Sequence, residues 1–286
     1  MKQFIQQLYD ILHSYQPSSN QYNSILFKQS ISCSAKLNDI LPLFERSSLD
    51  VIYHYSNTKN CSWLGIGEAE KYVFENQFQK KKGVRYLEEK IKNGSFYFSG
   101  TVFDEDGNDG EEWNIFGKQF WIEPLVLLKQ TNDDVEIFVA NSEDADVQLT
   151  EIKKILQSFQ NLSQEKYSNN KCVSKNECPL KDSFLMSTKE VIEKIKQAKL
   201  EKVVLAKKTE LVFDQWVSAA LIFKEMMHND SNCAAFFVKF KQFSFISVTP
   251  ETLFQRDQNK LSCDIIAGTR PMSELKTNTE KYKLEL

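Results

Sequence analysis

The segment "EKVVLAKKTELVF", residues 201–213, has the composition of a β-strand and carries a lysine near its start. Side chains alternate between the two faces of a strand, so Lys202 shares a face with Val204 while Val203 lies on the other. Apolar residues on both faces predict that the strand is covered on both sides. Lys202 is then either a surface lysine whose aliphatic stem lies on apolar neighbours, or a buried amine that acts as a base. Judged from this segment alone, the surface lysine is the commoner case.

The elements around this segment favour an α+β fold with a large antiparallel sheet. A helix over 188–199 precedes it, and Ser187 with Glu190 has the pattern of a capping box. A helix over 216–229 follows, and then two hairpins, "CAAFFVKF" with "FSFISV" and "ETLFQRD" with "LSCDIIAGT". A strand followed by a helix and two hairpins is typical of α+β domains and differs from repeated βαβ units.

The first half of the chain also alternates helices with antiparallel strands. Apolar residues at helical spacing predict an amphipathic first helix that buries Phe4, Ile5, Leu8, Ile11 and Leu12. Strands are predicted over 50–56 and 95–104, with a segment over 62–74 between them in which Gly65 and Gly67 allow a tight or bulged path. A hairpin is predicted over 118–130 and 135–142, and helices over 82–93 and 146–162. The domain organisation predicted from these elements is an N-terminal α+β part over 1–162, a polar linker over 163–183, and a catalytic region from 184 to 286.

Composition narrows the class of partner. The chain has 286 residues and a formal net charge of −3, with both signs mixed along its length, so neither nucleic acid nor a membrane surface is the expected partner. Its six cysteines are scattered and are predicted to be free thiols in a reducing compartment. No segment has the length of a membrane span, and the first helix differs from a signal peptide, so a cytoplasmic protein with a small-molecule or protein partner is expected.

Two later motifs also have the residue types of a site. In "VTPETLF", residues 248–254, Pro250 fixes the backbone so that Glu251 leaves a strand in a defined direction, although an exposed turn glutamate is the ordinary interpretation. In "DIIAGTRPM", residues 264–272, Gly268 and Thr269 follow an apolar strand and can offer backbone and hydroxyl donors to a carboxylate. A β-bulge or turn is the alternative there.

Taken in order, the three motifs resemble those of the chorismate-utilising enzymes, and most closely those of isochorismate synthases. The family pattern has a K-V-V-L-A/S-R strand, then S-P-E-x-L about fifty residues later, then A-G-T/S-R-P. Here Lys202 and Glu251 are 251 − 202 = 49 positions apart. The section "SFYFSGTVFD" to "EEWNIFGKQFWIEPLVLL" is similar to the part that precedes the catalytic region, so the resemblance covers most of the chain. It implies the chorismate-binding fold, in which large antiparallel sheets are flanked by helices.

The resemblance also implies a reaction and residue roles. Lys202 would be the general base that activates water for addition at C2 of chorismate, and Glu251 the general acid that protonates the departing C4 hydroxyl. Ala267, Gly268 and Thr269 match the segment that contacts the substrate carboxylate, and Mg²⁺ is the implied cofactor. A lysine at the base position and an alanine at 267 favour water addition over the amination carried out by other relatives.

Departures from the family pattern keep alternatives open. Lys207 stands where an arginine is usual, and the two cations bind carboxylates differently. The glutamate ligands of Mg²⁺ are expected beyond residue 286, so the chain is expected to be a fragment, a prematurely ended product, or half of a split enzyme completed by a separate polypeptide. Salicylate synthase and a non-catalytic remnant are the alternatives, and the pathway is menaquinone or siderophore synthesis. A binding protein unrelated to chorismate would need three ordered motifs to coincide by chance.

Overall fold

The computed structural model describes residues 1–15, 27–75, 77–103, 110–159, 170–229 and 233–263. The chain divides into two compact units. Unit 1 comprises Met1–Ser163 and Ala219–Leu286, and unit 2 comprises Gln164–Ser218. Their described helices are α1 (Lys2–Ser14), α2 (Leu41–Phe44), α3 (Gln77–Lys92), α4 (Ala145–Phe159), α5 (Lys181–Lys196) and α6 (Ala219–Asn229), with short 3₁₀ helices at Leu37–Asp39 and Glu111–Phe116.

Unit 1 is built on a seven-stranded antiparallel sheet. Its spatial order is β1-β8-β7-β3-β2-β11-β12. These strands are β1 (Phe27–Ser32), β2 (Val51–Ser56), β3 (Cys61–Ile66), β7 (Val126–Thr131), β8 (Asp134–Val139), β11 (Ala234–Phe240) and β12 (Phe243–Thr249). The fold is therefore α+β with a large antiparallel sheet flanked by helices, as the sequence predicts.

One face of the large sheet carries the main hydrophobic core. Alternate residues of each strand point to this face, among them Tyr53 of β2, Leu64 of β3 and Phe237 of β11. The core continues into α1, α2, α4 and α6. All five apolar residues predicted for the first helix are buried there, which confirms its assignment as an amphipathic helix packed on the core.

The opposite face packs against a second, three-stranded sheet. That sheet has the order β4-β6-β5 and comprises β4 (Glu70–Phe74), β5 (Phe98–Thr101) and β6 (Gln119–Glu123). Ile52 and Phe240 of the large sheet meet Phe98 and Phe120 of the small one in a separate apolar cluster. The two-residue period of the strands thus separates two cores, one on each face of the central sheet.

Gly65 of β3 permits the close approach of the two sheets. A Cβ at this position would lie 2.8 Å from the Phe98 ring and 2.8 Å from Pro124, which is closer than carbon atoms pack. The residue pairs regularly with its neighbours on both sides of β3. Its lack of a side chain therefore serves packing; the bulged path that the sequence allowed for Gly65 is absent.

Unit 2 contains β9 (Cys172–Cys178), α5 and β10 (Lys208–Phe213). The two strands pair antiparallel, and Lys208 lies opposite Cys178. None of its described residues, 170–218, is buried. Hydrophobic side chains such as Ile192, Val204 and Leu211 are instead open to solvent.

Several predicted boundaries differ from the structure. The strand predicted over 201–213 begins at Lys208, and α5 begins at Lys181, so Ser187 lies inside the helix and does not cap it. The polar segment 163–183 contains β9, whose exposed, alternating composition gave no apolar signal. The predicted strand 118–130 is divided at Pro124 into β6 and β7, which belong to different sheets, because proline cannot donate a ladder hydrogen bond.

The last two described strands are β13 (Gln255–Asp257) and β14 (Lys260–Ser262), which form the hairpin predicted from "ETLFQRD" and "LSCDIIAGT". Residues 264–269 of that prediction lie outside the described residues. The hairpin predicted from "CAAFFVKF" and "FSFISV" is also confirmed, as β11 and β12. Along the described ranges, no helix combines the length and the apolar composition that crossing a membrane requires.

Candidate active site

Lys202 lies in an irregular segment between α5 and β10. Residues 202–207 have no regular secondary structure, and Lys202 is exposed. Its neighbours Val204 and Leu205 are 83% and 37% exposed, so the expected cover on both faces is wrong for this segment. The physical reason is that β10 pairs only with β9 among the described strands, in a two-stranded sheet whose faces stay open.

Lys207 joins the segment to β9 through a carboxylate. Its Nζ lies 2.8 Å from Glu177 Oε2, and Lys175 Nζ lies 2.7 Å from the other oxygen of Glu177. Hydrogen bonds from Lys175 and Lys207 lower the pKa of the Glu177 carboxyl to about 2. Lys207, which stands where an arginine is usual in the family pattern, therefore binds a carboxylate of its own unit.

Glu251 follows the end of β12. Its backbone N–H donates to Thr249 Oγ1 at 3.3 Å, which fixes the turn that Pro250 begins. The Glu251 side chain is exposed, as in the ordinary interpretation of a turn glutamate, whereas a general acid needs a partly buried carboxyl to keep its proton. The backbone therefore turns after β12 as Pro250 predicts, but the Glu251 carboxyl lacks the burial that a general acid needs.

The predicted site residues do not all lie in one unit of the described structure. Lys202 belongs to unit 2 and Glu251 to unit 1, and each is described within its own unit. Ala267, Gly268 and Thr269 lie outside the described residues. The proximity of these side chains to one another stays a prediction.

A partly buried polar cluster in unit 1 was missed by sequence reasoning. Tyr97 donates to Glu70 Oε2 at 2.5 Å and lies 3.3 Å from Glu123 Oε2. Tyr72 also donates to Glu70, at 2.5 Å, and Lys90 of α3 lies 3.5 Å from it. The only available signal was the alternation in β6, which places Glu123 on the face opposite the apolar Phe120 and Ile122, a pattern that also fits an exposed strand face.

Burial controls the ionisation of this cluster. Glu123 is only 6% exposed, and its Oε1 has no hydrogen-bond partner. Burial, together with the nearby Glu70 carboxylate, raises the pKa of Glu123 to about 7. Hydrogen bonds from Tyr72 and Tyr97 act in the opposite direction on Glu70 and outweigh its burial, so the pKa of Glu70 lies below its usual value. The two carboxyls therefore ionise in separate pH ranges.

An apolar cavity of about 430 Å³ lies where the small sheet meets β11 and β12. Its walls include Trp113, Phe116 and Phe245. Neither Lys202 nor Glu251 lines it. Nearby, His54 stacks between Trp63 and Phe236 with ring centroids 5.3 and 4.5 Å away, and burial lowers the pKa of His54 to about 4. This histidine is a neutral member of an aromatic stack near pH 7.

Comparison with known proteins assigns the chain to a family. The family described as "Chorismate binding enzyme" matches residues 12–286, which is nearly the whole chain. The chain belongs to this family. The three motifs that carry Lys202, Glu251 and Gly268 all lie within the matched range.

Curated relatives of this family member are named as isochorismate synthases. The chain is 25% identical over 229 residues to isochorismate synthase MenF of Bacillus subtilis, covering 76% of this chain and 48% of that protein. It is 24% identical over 235 residues to the chloroplastic isochorismate synthase of Catharanthus roseus, covering 77% of this chain and 40% of that protein. The chain thus spans half or less of the length of these relatives.

Solved structures show the same fold. The menaquinone-specific isochorismate synthase MenF of Escherichia coli superposes with a TM-score of 0.59 at 15% identity, over 90% of this chain and 57% of that one. A structure described as 2,3-dihydroxybenzoate-specific isochorismate synthase DhbC of Bacillus anthracis gives a TM-score of 0.54 at 16% identity, over 87% and 57%. The chorismate-binding fold predicted from the motifs is confirmed.

Proposed function

We propose that this chain carries the first part of the catalytic region of an isochorismate synthase. The observation that supports this most is the motif series itself: Lys202 and Glu251 stand 49 positions apart within a range that matches the family. The curated relatives named above are isochorismate synthases, which agrees with lysine at the base position. The substrate is chorismate and the product its isomer isochorismate.

In the proposed reaction, Lys202 activates the water that is added and Glu251 protonates the hydroxyl that leaves. The Lys202 amine removes a proton from water as the water oxygen bonds to C2 of chorismate. Both ring double bonds shift, from C1=C2 to C1=C6 and from C5=C6 to C4=C5, the C4–O bond breaks, and Glu251 supplies the proton with which the C4 hydroxyl leaves as water. One water enters and one leaves, so substrate and product are isomers. Both residues then exchange protons with solvent to regain their starting states.

The chemistry requires an environment that unit 2 by itself does not provide. A lysine amine has a reference pKa of about 10.4 and must be desolvated or placed near other cations to be neutral near pH 7. Lys202 is exposed, as are Val203 and Val204 beside it. We therefore propose that a further polypeptide segment covers the 202–207 strip when the site is assembled. The exposure of this strip supports a site that is completed by further polypeptide.

Mg²⁺ is proposed as the cofactor only because the sequence motifs resemble those of the family. When bound, Mg²⁺ would hold and neutralise a substrate carboxylate through oxygen ligands. Within the described ranges, no three His, Cys, Asp or Glu side chains are grouped so that they could hold a metal ion. The described residues therefore do not fit a Mg²⁺ site, and no step above is routed through the metal.

Substrate orientation is assigned to the motif at Gly268. In this proposal, the backbone N–H groups of Gly268 and Thr269 bind a chorismate carboxylate, since donors without an intervening side chain can approach it closely. Ala267 offers no amine to attack the ring, so water is the nucleophile. Salicylate synthase, which would additionally release pyruvate, stays the alternative within the family.

An isotope experiment tests the reaction. Purified chain is incubated with chorismate and Mg²⁺ in ¹⁸O-labelled water, with and without a polypeptide corresponding to the C-terminal half of the Bacillus subtilis relative. The proposal predicts isochorismate that carries ¹⁸O at C2, with turnover that depends on the added polypeptide. Salicylate plus pyruvate would indicate the alternative reaction. No product under either condition would support the non-catalytic remnant.

A further inference from the structure

Strand β12 is an edge of the seven-stranded sheet that lacks the usual protection of sheet edges. Among the described strands it pairs only with β11, so its other side presents backbone N–H and C=O groups that no described strand binds. Its sequence, "FSFISVT", holds no charge, no proline and no glycine, and its pairing runs without a bulge from Phe243 to Thr249. An edge of this kind is a template for pairing with another strand.

The opposite edge of the same sheet is protected. Strand β1 carries the exposed Lys28, whose Nζ lies 2.5 Å from Glu136 Oε1 on the neighbouring β8. A charged side chain on an edge strand discourages the addition of a further strand. The contrast within one sheet indicates that the β12 edge is uncharged because a strand binds there.

Exposed aromatic side chains and a cavity lie beside the β12 edge. Phe243 and Phe245 are 41% and 37% exposed, and they pair with Phe240 and Val238 on the sheet face that meets the small sheet. Trp113 contacts Phe245, with ring centroids 5.7 Å apart. Trp113 and Phe245 line the apolar cavity of about 430 Å³, whose lining residues all belong to unit 1 and include no charged side chain. This cavity can take apolar side chains of an added strand, because alternate residues of a strand point to the same face.

Two observations point to the remaining part of the synthase fold as the occupant. The matched part makes up 48% and 40% of the two curated relatives and 57% of the Escherichia coli structure, so each of these proteins contains a further part of roughly the same size. In addition, β12 leads directly to Glu251, which is exposed although a general acid needs a partly buried carboxyl. A strand bound along β12 lies next to this motif and can reduce the exposure of Glu251.

Given the proposed function as the first part of a longer synthase, on which this step rests, we propose that the β12 edge binds a strand of the second half of that fold. The bound strand has the seven-residue length of β12, since the turn at Lys241 and Pro250 limit the edge on either side. Its main chain extends the sheet through backbone hydrogen bonds, and its alternate apolar side chains enter the cavity beside Phe245 and Trp113. A charged strand would not fit, because the cavity lining has no charge to pair with it.

Binding and hydrogen–deuterium exchange test the proposal without chorismate. The probe is the C-terminal half of the Bacillus subtilis relative, titrated by calorimetry into the purified 286-residue chain and into two variants, Phe245→Lys and Ser30→Lys. Phe245→Lys puts a charge on the β12 edge. Ser30→Lys puts the same charge at an exposed position of the β1 edge and is the matched control. Exchange of the wild-type chain is read by mass spectrometry with and without the probe, and sedimentation reports whether the chain associates with itself.

We expect the probe to bind the wild-type chain and Ser30→Lys with the same Kd, and Phe245→Lys at least about tenfold more weakly, because a lysine opposes strand pairing at this edge. Amides of 243–249 should exchange at least about tenfold more slowly when the probe is bound, while those of β1 keep their rate. The exchange measurement needs no variant, so it stays decisive if Phe245→Lys fails to fold.

No binding of the probe, equal binding by Phe245→Lys, or unchanged exchange in β12 would overturn the proposal. Self-association of the chain that Phe245→Lys abolishes would make a second copy the occupant, and full protection of β12 in the monomeric chain would show that the chain covers its own edge; each result also overturns the proposal. A complex that forms through β12 but makes no isochorismate would support this proposal and contradict the proposed function. An active complex that Phe245→Lys does not weaken would do the reverse.

Discussion

Glu123 shows how a single residue can link stability to pH. It ends strand β6, is 6% exposed, and lies beside Glu70 with the Tyr97 hydroxyl between the two carboxyls. Burial is the largest influence on Glu123 and raises its pKa to about 7 from a reference of 4.5. The Lys90 ammonium of α3 is the nearby cation and acts in the opposite direction. In the folded chain this carboxyl therefore keeps its proton over a range in which the unfolded chain has lost it.

Glu123 should accordingly destabilise the fold as pH rises. Between about pH 4.5 and 7 the folded state binds a proton that the unfolded state has released, so the free energy of unfolding decreases across this range and levels off above it. Replacing the carboxyl in Glu123→Gln should remove this slope and stabilise the protein at pH 8 by about 2–3 kcal/mol. Urea unfolding of both proteins at pH 5 and pH 8 measures the difference. Glu88→Gln, an exposed change on α3, is the control, and identical slopes for wild type and Glu123→Gln would contradict the assignment.

For the site residues, the sequence could supply identities and spacing but not surroundings. The 49-position interval between Lys202 and Glu251 comes from the chain itself, and the family match agrees with it. The strand around Lys202 was predicted to be covered on both faces, and a general acid at Glu251 would need a partly buried carboxyl, yet both side chains are exposed. Glu123 carries no local motif, because its significance arises from Tyr97, 26 positions earlier in the chain, and from an Oε1 atom without a hydrogen-bond partner.

At the scale of elements, periodic apolar patterns were reliable where one face meets a core. The first helix, strand β2 and the β11–β12 hairpin were predicted correctly because their alternation reflects burial against other elements. Predictions failed where no core imposes a pattern. Strand β9 is exposed along its length, and α5 extends past a Ser187 whose capping-box spacing occurs by coincidence inside a helix.

The packing of the two sheets depends on Gly65. In Gly65→Ala, the added methyl would meet Phe98 and Pro124, each at 2.8 Å, and both are held between sheets. We expect a loss of about 1–3 kcal/mol in the free energy of unfolding, as for overpacked cores. Denaturant unfolding measures it. A further substitution, Phe98→Leu, should recover part of the loss in the double variant, and strict additivity of the two effects would argue against this contact.

The strands should also differ in their local stability. Amides of β2, β3 and β7 lie in the interior of the seven-stranded sheet between two cores, and should exchange with solvent only on global unfolding. Amides of β9 and β10 lie in an exposed two-stranded ladder and should exchange by local opening, at least about a hundredfold faster. Hydrogen–deuterium exchange read by mass spectrometry compares them within one sample. Equal protection of β9 and β3 would contradict the account of unit 2.

On the scale of the whole molecule, the two units differ in what holds them together. Unit 1 has a continuous core beneath its main sheet and a second cluster above it. Unit 2 buries none of its described residues, yet it carries exposed apolar side chains along α5, the 202–207 strip and β10. Apolar surface of this extent is typical of an interaction site. Because the chain spans half or less of its curated relatives, we propose that the second half of the fold supplies the cover.

The central claim is that Lys202 is the base of a chorismate site. The effect of the Lys202→Ala substitution on the rate of isochorismate formation tests this claim most directly. Isochorismate formation is measured for the chain supplemented with the C-terminal half of the Bacillus subtilis relative, in wild type, Lys202→Ala and Lys199→Ala. Lys199 is an exposed lysine three residues before Lys202, so its variant controls for the loss of a nearby positive charge. Loss of a general base predicts that Lys202→Ala lowers kcat by about 10²–10⁴-fold while Lys199→Ala stays near wild type. Turnover by Lys202→Ala at the wild-type rate would contradict the account.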